Sequence, residues 1–552
     1  MGGGRQAVTV LAAGAIRPDY VSGQAFRFLV ITGGTVTALA QTRGDAARAA
    51  GPSARWVDLG GACVAPGFVD THIHALQAAA DARLVSLRDA TTMAGLLAAV
   101  REAGQRRGPG EWTVSGRNWH ESRLREGRLP TRGELDALGL PGPVLLRRGS
   151  HLAVADSRAI ALLGPGSLPG GAAETGLIDA DPVIARATAL AGEPGPGQRG
   201  DDLAAVLARF AGRGITTIRE AGADRAELEL FSALRDQGRL PVRCDLLWRV
   251  PEGSDADEAR RRIAALPSPD LADGEFLRLT GVKAFVDGRI ADAAIDAGPA
   301  GVGTGGNHPA AGDAAASDAA GRLRLTPAGL WVIVEESLRR SVGVGCHAVG
   351  DAAVRMVLDA YERALSAGLA RGPGRLVIEH ALDCAPETIR RIAAAGVAVS
   401  AHPAIAYEFA GDIRQHWGTE RAARAAPVRD MVAAGVRVAA GSDGDVPPFD
   451  PLLGVAFMVT RVARSGGPLG AGQAVPANVA LDLYTRRGAA LLGTGARRGM
   501  LRPGMDADLA VFPADPLACP PADLPGLGVL LTMTGGRAVH DPDGLMEGNG
   551  HA

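Results

Sequence analysis

Between residues 67 and 496, short apolar segments alternate with stretches rich in alanine, leucine and arginine that are typical of helices. The alternation predicts an α/β fold with a parallel sheet, and eight such repeats predict a closed (β/α)8 barrel of the TIM type. The strand candidates are GFVDTHIH, GITTIRE, VRCDLLWRV, GVKAFVDG, VGVGCHAVG, RLVIEHAL, GVAVSAHP and VRVAAGSDG. An open, doubly wound sheet is the alternative, but no glycine-rich phosphate-binding pattern follows the first strand.

A long insertion separates the first two strand candidates of the barrel. About 135 residues lie between them, far more than the single helix that a βα unit requires. The insertion, about 77–212, has helical and strand segments of its own. Insertions at the end of a barrel strand usually cover the mouth of the active site, so we predict a lid within the barrel domain 67–496.

The two ends of the chain, 1–66 and 497–552, consist of short strand candidates separated by glycine-containing turns. Near the N-terminus, Arg5 precedes the apolar stretch AVTVLAAGAI, which could belong to a signal peptide. A single arginine is a weak positive region, however, and the next stretch, FRFLVITGGTVTALA, alternates like a strand. We therefore predict a strand at this position.

Composition excludes several kinds of partner. The 58 basic and 60 acidic residues are interspersed and give a formal net charge of −2, so no nucleic-acid-binding surface is expected. No apolar run approaches the ~18 residues of a membrane span. The five cysteines are far apart and form no CxxC pair, which indicates a reducing compartment and a cytoplasmic protein. The expected partner is a small-molecule substrate, and a homo-oligomer is left open.

Two histidines, His72 and His74, stand at the end of the first strand candidate. Side chains two residues apart on a strand point to the same face, so both rings can converge on one ion. Taken alone the pair is weak evidence, because two histidines can share a strand by chance. Support must come from the other strands.

Four more polar residues stand where an apolar barrel strand runs out toward its following loop. They are Lys283, His347, His380 and Asp443. The C-terminal ends of the strands of a (β/α)8 barrel lie around one rim, where active sites are built. A buried lysine or aspartate also needs a partner. The six residues together predict a metal site.

The chain resembles the amidohydrolase superfamily, and within it the group often called amidohydrolase family 3 or YtcJ-like. The resemblance covers nearly the whole length and keeps the order of the family's motifs. They read here PGFVDTHIH, GRNW with GRLPTRGELDAL, GITTIREAG, GVKAFVDG, CHAVGDAAV, RLVIEHA, GSDGDVPPFDPL and GMLRPGMDADLAVF.

The resemblance implies a centre of one or two divalent metal ions of the zinc type. His72 and His74 would bind the more buried ion together with Asp443, and His347 and His380 would bind the second ion. All of these positions are filled in this sequence.

The resemblance also implies that Lys283 bridges the two metals after its amine has reacted with carbon dioxide. An ammonium cannot bind a cation, whereas a carbamate offers two anionic oxygens. At the level of domains, the resemblance implies that segments 1–66 and 497–552 pack together as one small β-sandwich.

The reaction that the resemblance implies is hydrolysis of a carbon–nitrogen bond outside a peptide, such as an amide, an N-formyl or N-acyl amine, or a cyclic amide. A metal-activated water would attack the carbon, and Asp443 would move the proton to the leaving nitrogen. Deamination, ester hydrolysis and decarboxylation on the same centre remain open. A non-catalytic binding protein is the alternative of another class, but none of the six ligand positions is lost.

Departures from the family pattern cluster where substrate is expected. His402 stands where glutamine is typical, Glu220 where aspartate is frequent, and His151 lies in SHLAV in place of a commoner GHAAW. These three residues and Trp119 are the candidates for substrate binding, with a structural tryptophan as the alternative for Trp119. Glu220 is also the alternative proton shuttle. Glu379, next to His380, is expected to point away from the rim.

Overall fold

The N-terminal segment forms strands in the computed structural model, which describes residues 7–149, 152–164, 166, 168, 170–192, 195–267, 274–295, 323–370, 374–444 and 447–547. Its elements are β1 (Val8–Ile16), β2 (Phe26–Thr32), β3 (Thr35–Ala40), α1 (Arg43–Ala50), β4 (Arg55–Asp58) and β5 (Cys63–Pro66). β1 lies within AVTVLAAGAI and pairs with β2, β4 and β5. The apolar stretch near the N-terminus is therefore a strand, as predicted.

The insertion follows β6 (Phe68–Ile73), the first strand of the barrel. Residues 75–206 and 444–447 form one compact unit, and the remaining residues form another. The elements of the insertion are α2 (Ala75–Asp81), α3 (Met93–Gln105), β7 (Thr113–Val114), α4 (Arg132–Asp136), β8 (Val144–Arg148), β9 (Leu152–Ala155), α5 (Ser157–Leu163), α6 (Ala172–Thr175), β10 (Leu177–Ile178), α7 (Asp181–Leu190) and α8 (Pro196–Ala211). The strands form a sheet in the order β10-β9-β8-β7, and apolar side chains from both of its faces are buried within the unit. That the insertion acts as a lid stays a prediction.

The barrel continues with seven further parallel strands. They are β11 (Ile215–Ala223), β12 (Arg243–Arg249), β13 (Leu277–Phe285), β14 (Gly343–Ala348), β15 (Leu376–His380), β16 (Ala398–Ala401) and β17 (Arg437–Ala440). Each strand pairs with its neighbour in sequence, from β6 at one edge to β17 at the other. Where the edges meet, the Asp443 N–H donates to the carbonyl oxygen of His72 at 2.8 Å. All eight predicted segments are strands of this nearly closed barrel.

Helices lie between the later strands and continue after the last. They are α9 (Arg225–Asp236), α10 (Ala256–Ala264), α11 (Pro327–Arg339), α12 (Asp351–Ser366), α13 (Pro386–Ala395), α14 (Pro403–Glu408), α15 (Ala410–Ala422), α16 (Val428–Ala433), α17 (Pro451–Thr460), α18 (Ala477–Leu483) and α19 (Arg486–Leu491). In α12, Val354, Leu358 and Tyr361 recur at helical spacing and are buried. The Tyr361 hydroxyl lies 3.0 Å from carbonyl oxygens of both β14 and β15. Within the described part of the chain, no helix is long and apolar enough to cross a membrane.

The C-terminal strands join those of the N-terminal segment in one sheet. They are β18 (Leu509–Phe512), β19 (Leu531–Thr534) and β20 (Arg537–His540). β18 pairs antiparallel with β5, and the order is β20-β19-β18-β5-β1-β2-β3, with β4 beside β1. Leu11, Val64, Val511 and Leu531 are fully buried in the shared core. The two ends of the chain thus form the small β-sandwich domain.

Candidate metal centre

The ends of barrel strands bring His72, His74 and Asp443 together. Nε2 of His72 lies 3.2 Å from Oδ1 of Asp443, and Nε2 of His74 lies 3.1 Å from the same oxygen. One ligand atom from each residue lies within 4.8 Å of the others. The two histidines are two residues apart on β6 and its end, so they share a face. Asp443 follows β17 with a left-handed backbone, φ 54°, which aspartate adopts more readily than most residues.

Lys283 lies beside this group on β13 and is only 1% exposed. Its Nζ is 3.4 Å from Nε2 of His72. Burial lowers the pKa of the Lys283 amine to about 8, against the opposing charges of Glu379 and Asp443. A larger share of neutral amine at physiological pH follows, and the neutral amine is the form that reacts with carbon dioxide.

His347 and His380 lie next to each other, with ring centroids 4.2 Å apart. Nε2 of His347 is 3.0 Å from the carbonyl oxygen of Gly288, which can only accept, so this nitrogen carries the hydrogen and Nδ1 is bare. Burial and the charge of Lys283 lower the pKa of His347 to about 3. Burial and His347 hold the pKa of His380 well below its usual range. Both rings are therefore neutral, as metal ligands must be.

Glu379 contacts the centre, and the expectation that it points away from the rim is wrong. Its Oε2 lies 2.7 Å from Nδ1 of His72, and its Oε1 accepts from Arg219 at 2.6 Å. Successive side chains of a strand normally point to opposite faces. This alternation ends here because His380 and Ala381 have φ of 75° and 47°, which turns the chain at the end of β15. Glu379 and His380 therefore both reach the same centre. The signal available in the sequence was a carboxylate within an apolar strand segment, RLVIEHAL, beside a candidate ligand.

His402, a candidate for substrate binding, is 1% exposed and lies inside the cluster. Its Nδ1 is 2.7 Å from Nδ1 of His380, and its ring centroid is 4.3 Å from that of His72. These contacts favour a role within the centre over contact with substrate. Glu220 is also 1% exposed, and its Oε1 is 3.9 Å from Nδ1 of His74.

The remaining two candidates for substrate binding lie in the insertion. Trp119 is 1% exposed and packs in the insertion's own apolar core. Its Nε1 donates to the carbonyl oxygen of Arg147 at 2.7 Å. The structural alternative is therefore favoured for Trp119. His151 lies outside the described residues.

The donor set fits a divalent metal. Nε2 of His380 is buried and has no hydrogen-bond partner in the described part of the protein. Buried polar atoms without partners are costly unless an ion or a water satisfies them. Neutral imidazole nitrogens with a carboxylate oxygen are the ligands that zinc and similar ions take.

Comparison with known proteins agrees with this chemistry. The chain is 29% identical over 538 residues to an N-substituted formamide deformylase of Arthrobacter pascens, covering 94% of this chain and 95% of that protein. It is 26% identical over 511 residues to the putative amidohydrolase YtcJ of Bacillus subtilis (strain 168), covering 89% and 91%.

A solved structure supports the fold. An uncharacterized metal-dependent hydrolase from Pyrococcus horikoshii OT3 superposes with a TM-score of 0.72 at 22% identity, over 94% of this chain and 99% of that one. The profile of the family described as "Amidohydrolase family" matches residues 55–540. The chain therefore belongs to the amidohydrolase family.

Proposed function

We propose that this centre hydrolyses an amide-type bond of a small molecule: an N-formyl or N-acyl amine, or a cyclic amide. Membership of the family makes the protein a metal-dependent hydrolase of carbon–nitrogen bonds other than peptide bonds. The observation that carries the proposal is the convergence of His72, His74 and Asp443 on one point at the end of the barrel. The relative that is named a formamide deformylase makes N-substituted formamides the first substrates to test.

The proposed cofactor is zinc, as one or two ions. His72, His74 and Asp443 would hold one ion, and His347 and His380 would hold the other. When bound, the metal lowers the pKa of a water molecule toward ~7 and polarises the carbonyl oxygen of the substrate.

Asp443 is the proposed proton carrier. Burial would raise the pKa of this carboxyl, but the adjacent rings of His72 and His74 outweigh burial and hold the pKa well below its usual range. The ionised carboxylate accepts a proton as the oxygen of water bonds to the carbonyl carbon. It then delivers that proton to the nitrogen as the carbon–nitrogen bond breaks, and the products are a carboxylic acid and an amine.

Lys283 is the proposed site of carboxylation. Its neutral amine would bond to the carbon of carbon dioxide and release one proton, which converts a buried potential cation into a carbamate anion. The lowered pKa of the amine and the nearby ring of His72 support this assignment. A small-molecule substrate and a cytoplasmic location stay predictions.

The test combines metal analysis with a substrate panel. We expect the purified protein to contain zinc or a similar divalent ion, and to release formate or a carboxylic acid together with an amine from N-formyl, N-acyl or cyclic amides. The variant with His72→Ala and His74→Ala should keep its secondary structure and lose metal and turnover. Less than about a tenth of an equivalent of metal after metal-supplemented expression would contradict the proposal. Release of ammonia would point to deamination, and cleavage of esters alone to an esterase.

A further inference from the structure

Both ring nitrogens of His402 have partners inside the centre. Nδ1 lies 2.7 Å from Nδ1 of His380, and Nε2 lies 3.2 Å from Oγ of Ser400. The side chain of His402 is fully buried. A metal ligand needs a nitrogen with a free lone pair, so these contacts disfavour His402 as a ligand.

The contact between two Nδ1 atoms has two possible arrangements, because one nitrogen must carry the hydrogen and the other must be bare. If His402 donated, a neutral His380 would carry its hydrogen on Nε2, a buried atom with no hydrogen-bond partner among the described residues, and its one lone pair, on Nδ1, would already accept from His402. If His380 donates, its Nε2 is bare and can bind an ion. The second arrangement leaves no donor of either ring unpaired.

The surroundings of His402 favour the second arrangement. It requires a hydrogen on Nε2 of His402, and this nitrogen is within hydrogen-bond distance of Ser400. The Ser400 hydroxyl lies 2.7 Å from Oγ1 of Thr71, to which it can donate in turn. Oε2 of Glu379 is 3.9 Å from the same Nε2, and the negative charge of this carboxylate, paired with Arg219, favours a hydrogen there.

We infer that His402 is a positioning residue, which accepts a hydrogen bond from Nδ1 of His380 and holds that ring in the tautomer whose Nε2 can bind a metal. The inference rests on the proposed function, since it takes His380 as a ligand. Partners that orient a ligand in this way change metal affinity by about 10–100-fold.

The test compares His402→Leu with His402→Asn, two side chains of the same branched shape. The amide oxygen of asparagine can take the place of Nδ1 as acceptor, and leucine cannot. Zinc affinity and stoichiometry are measured by chelator competition on the full-length apoproteins, with thermal unfolding of each apoprotein as the folding control. We expect leucine to weaken one zinc site by at least ~10-fold and asparagine to stay within ~3-fold of the wild type.

Three outcomes would overturn the inference. Wild-type affinity in His402→Leu would show that the hydrogen bond does not position His380. Equal loss of zinc in both variants, with unchanged unfolding of the apoproteins, would make His402 itself a ligand. A wild-type protein that binds no zinc or other divalent ion would overturn the proposed function, and this inference with it.

A second measurement uses the wild-type protein and does not depend on the leucine variant folding. In apoprotein labelled with 15N-histidine, the signals of His380 are identified by their loss in His380→Ala. Nitrogen shifts that place the hydrogen of His380 on Nδ1 are expected. A hydrogen on Nε2 would overturn the inference.

Discussion

At the scale of single residues, the candidate metal centre includes a buried carboxylate, that of Glu379, which contacts one of the proposed ligands. Glu379 is fully buried and accepts from both His72 and Arg219. Burial alone would raise its pKa, but the charge of Arg219 and the contact with His72 hold the pKa well below its usual range. Glu379 is therefore an anion that keeps the hydrogen of His72 on Nδ1. The other ring nitrogen, Nε2, then has a free lone pair, and it lies beside Asp443.

Asp443 should be the residue whose charge is needed for turnover. Asp443→Asn keeps the size and one oxygen but removes the base, so we expect kcat to fall by at least ~10²-fold. Metal content is measured on the same preparation, since the change can also weaken binding. Glu220→Gln is the comparison, and we expect it to keep most of the activity. Near-normal turnover of Asp443→Asn with full metal, beside an inactive Glu220→Gln, would assign proton transfer to Glu220.

Lys283 should make metal uptake depend on carbon dioxide and on pH. The pKa of its amine is lowered to about 8, so the amine is mostly protonated below pH 8 and mostly neutral above it. Only the neutral amine reacts with carbon dioxide, so reconstitution of apoprotein with zinc should improve as pH rises through 8 when bicarbonate is present. Lys283→Ala should be inactive, with partial rescue by formate or acetate. A free lysine amine in a fully loaded, active enzyme would contradict the prediction.

At the scale of elements, the centre depends on how the last strand of the barrel meets the first. Asp443 N–H donates to the carbonyl oxygen of His72, and Ser442 N–H donates to Oδ1 of Asp70 at 2.9 Å. Gly441 permits this approach, because an added Cβ would lie 2.6 Å from the backbone nitrogen of His72. The closure of the barrel and the contact between His72 and Asp443 thus share one backbone junction.

Gly441→Ala should therefore damage both stability and metal binding. The clash is with backbone, which cannot rotate away, so we expect a loss of about 1–3 kcal/mol in the free energy of unfolding. Urea denaturation and zinc affinity measure the two effects. Gly61→Ala is the matched control, since an added Cβ there meets nothing within 4 Å. Equal stability of the two variants would show that the junction tolerates the methyl group.

At the scale of the whole molecule, a buried ionic network ties the β-sandwich to the barrel. Arg243, at the start of β12, is 1% exposed and donates to both oxygens of Asp508, at 2.9 and 3.1 Å. Asp506 lies 3.4 Å from the same guanidinium. Asp508 directly precedes β18, so the network joins the C-terminal part of the sandwich to a barrel strand.

Arg243→Ala should destabilise the whole fold, because it leaves the buried carboxylate of Asp508 without its guanidinium partner, whereas Asp506 keeps Arg497 and Arg498. Breaking a buried ion pair on one side costs about 3–5 kcal/mol, and urea denaturation should show a loss of this size. Arg225→Ala serves as the control, since Arg225 and its partner Glu229 are 63% and 54% exposed. That change should alter stability by less than ~1 kcal/mol. Similar losses in both variants would contradict the structural role of the network.

The eight barrel strands, the β-sandwich of the two ends and the family were predicted from the sequence and are confirmed. The barrel strands follow from local signals, namely apolar periodicity and turn residues. The sandwich and the family follow from the resemblance of nearly the whole chain to the amidohydrolase superfamily. His72 and His74 could be paired in the same way, because strand geometry alone places them on one face.

Only the tertiary structure decided which residues support those histidines. Glu379 meets His72 across 307 positions of sequence, and this contact exists only because the barrel closes. The left-handed turns at His380 and Asp443 break the alternation on which sequence reasoning relies. The sequence suggested His402 as a substrate-binding residue and did not place it among the histidines of the centre. Such an interior position is set by packing between strands and not by the pattern within one strand.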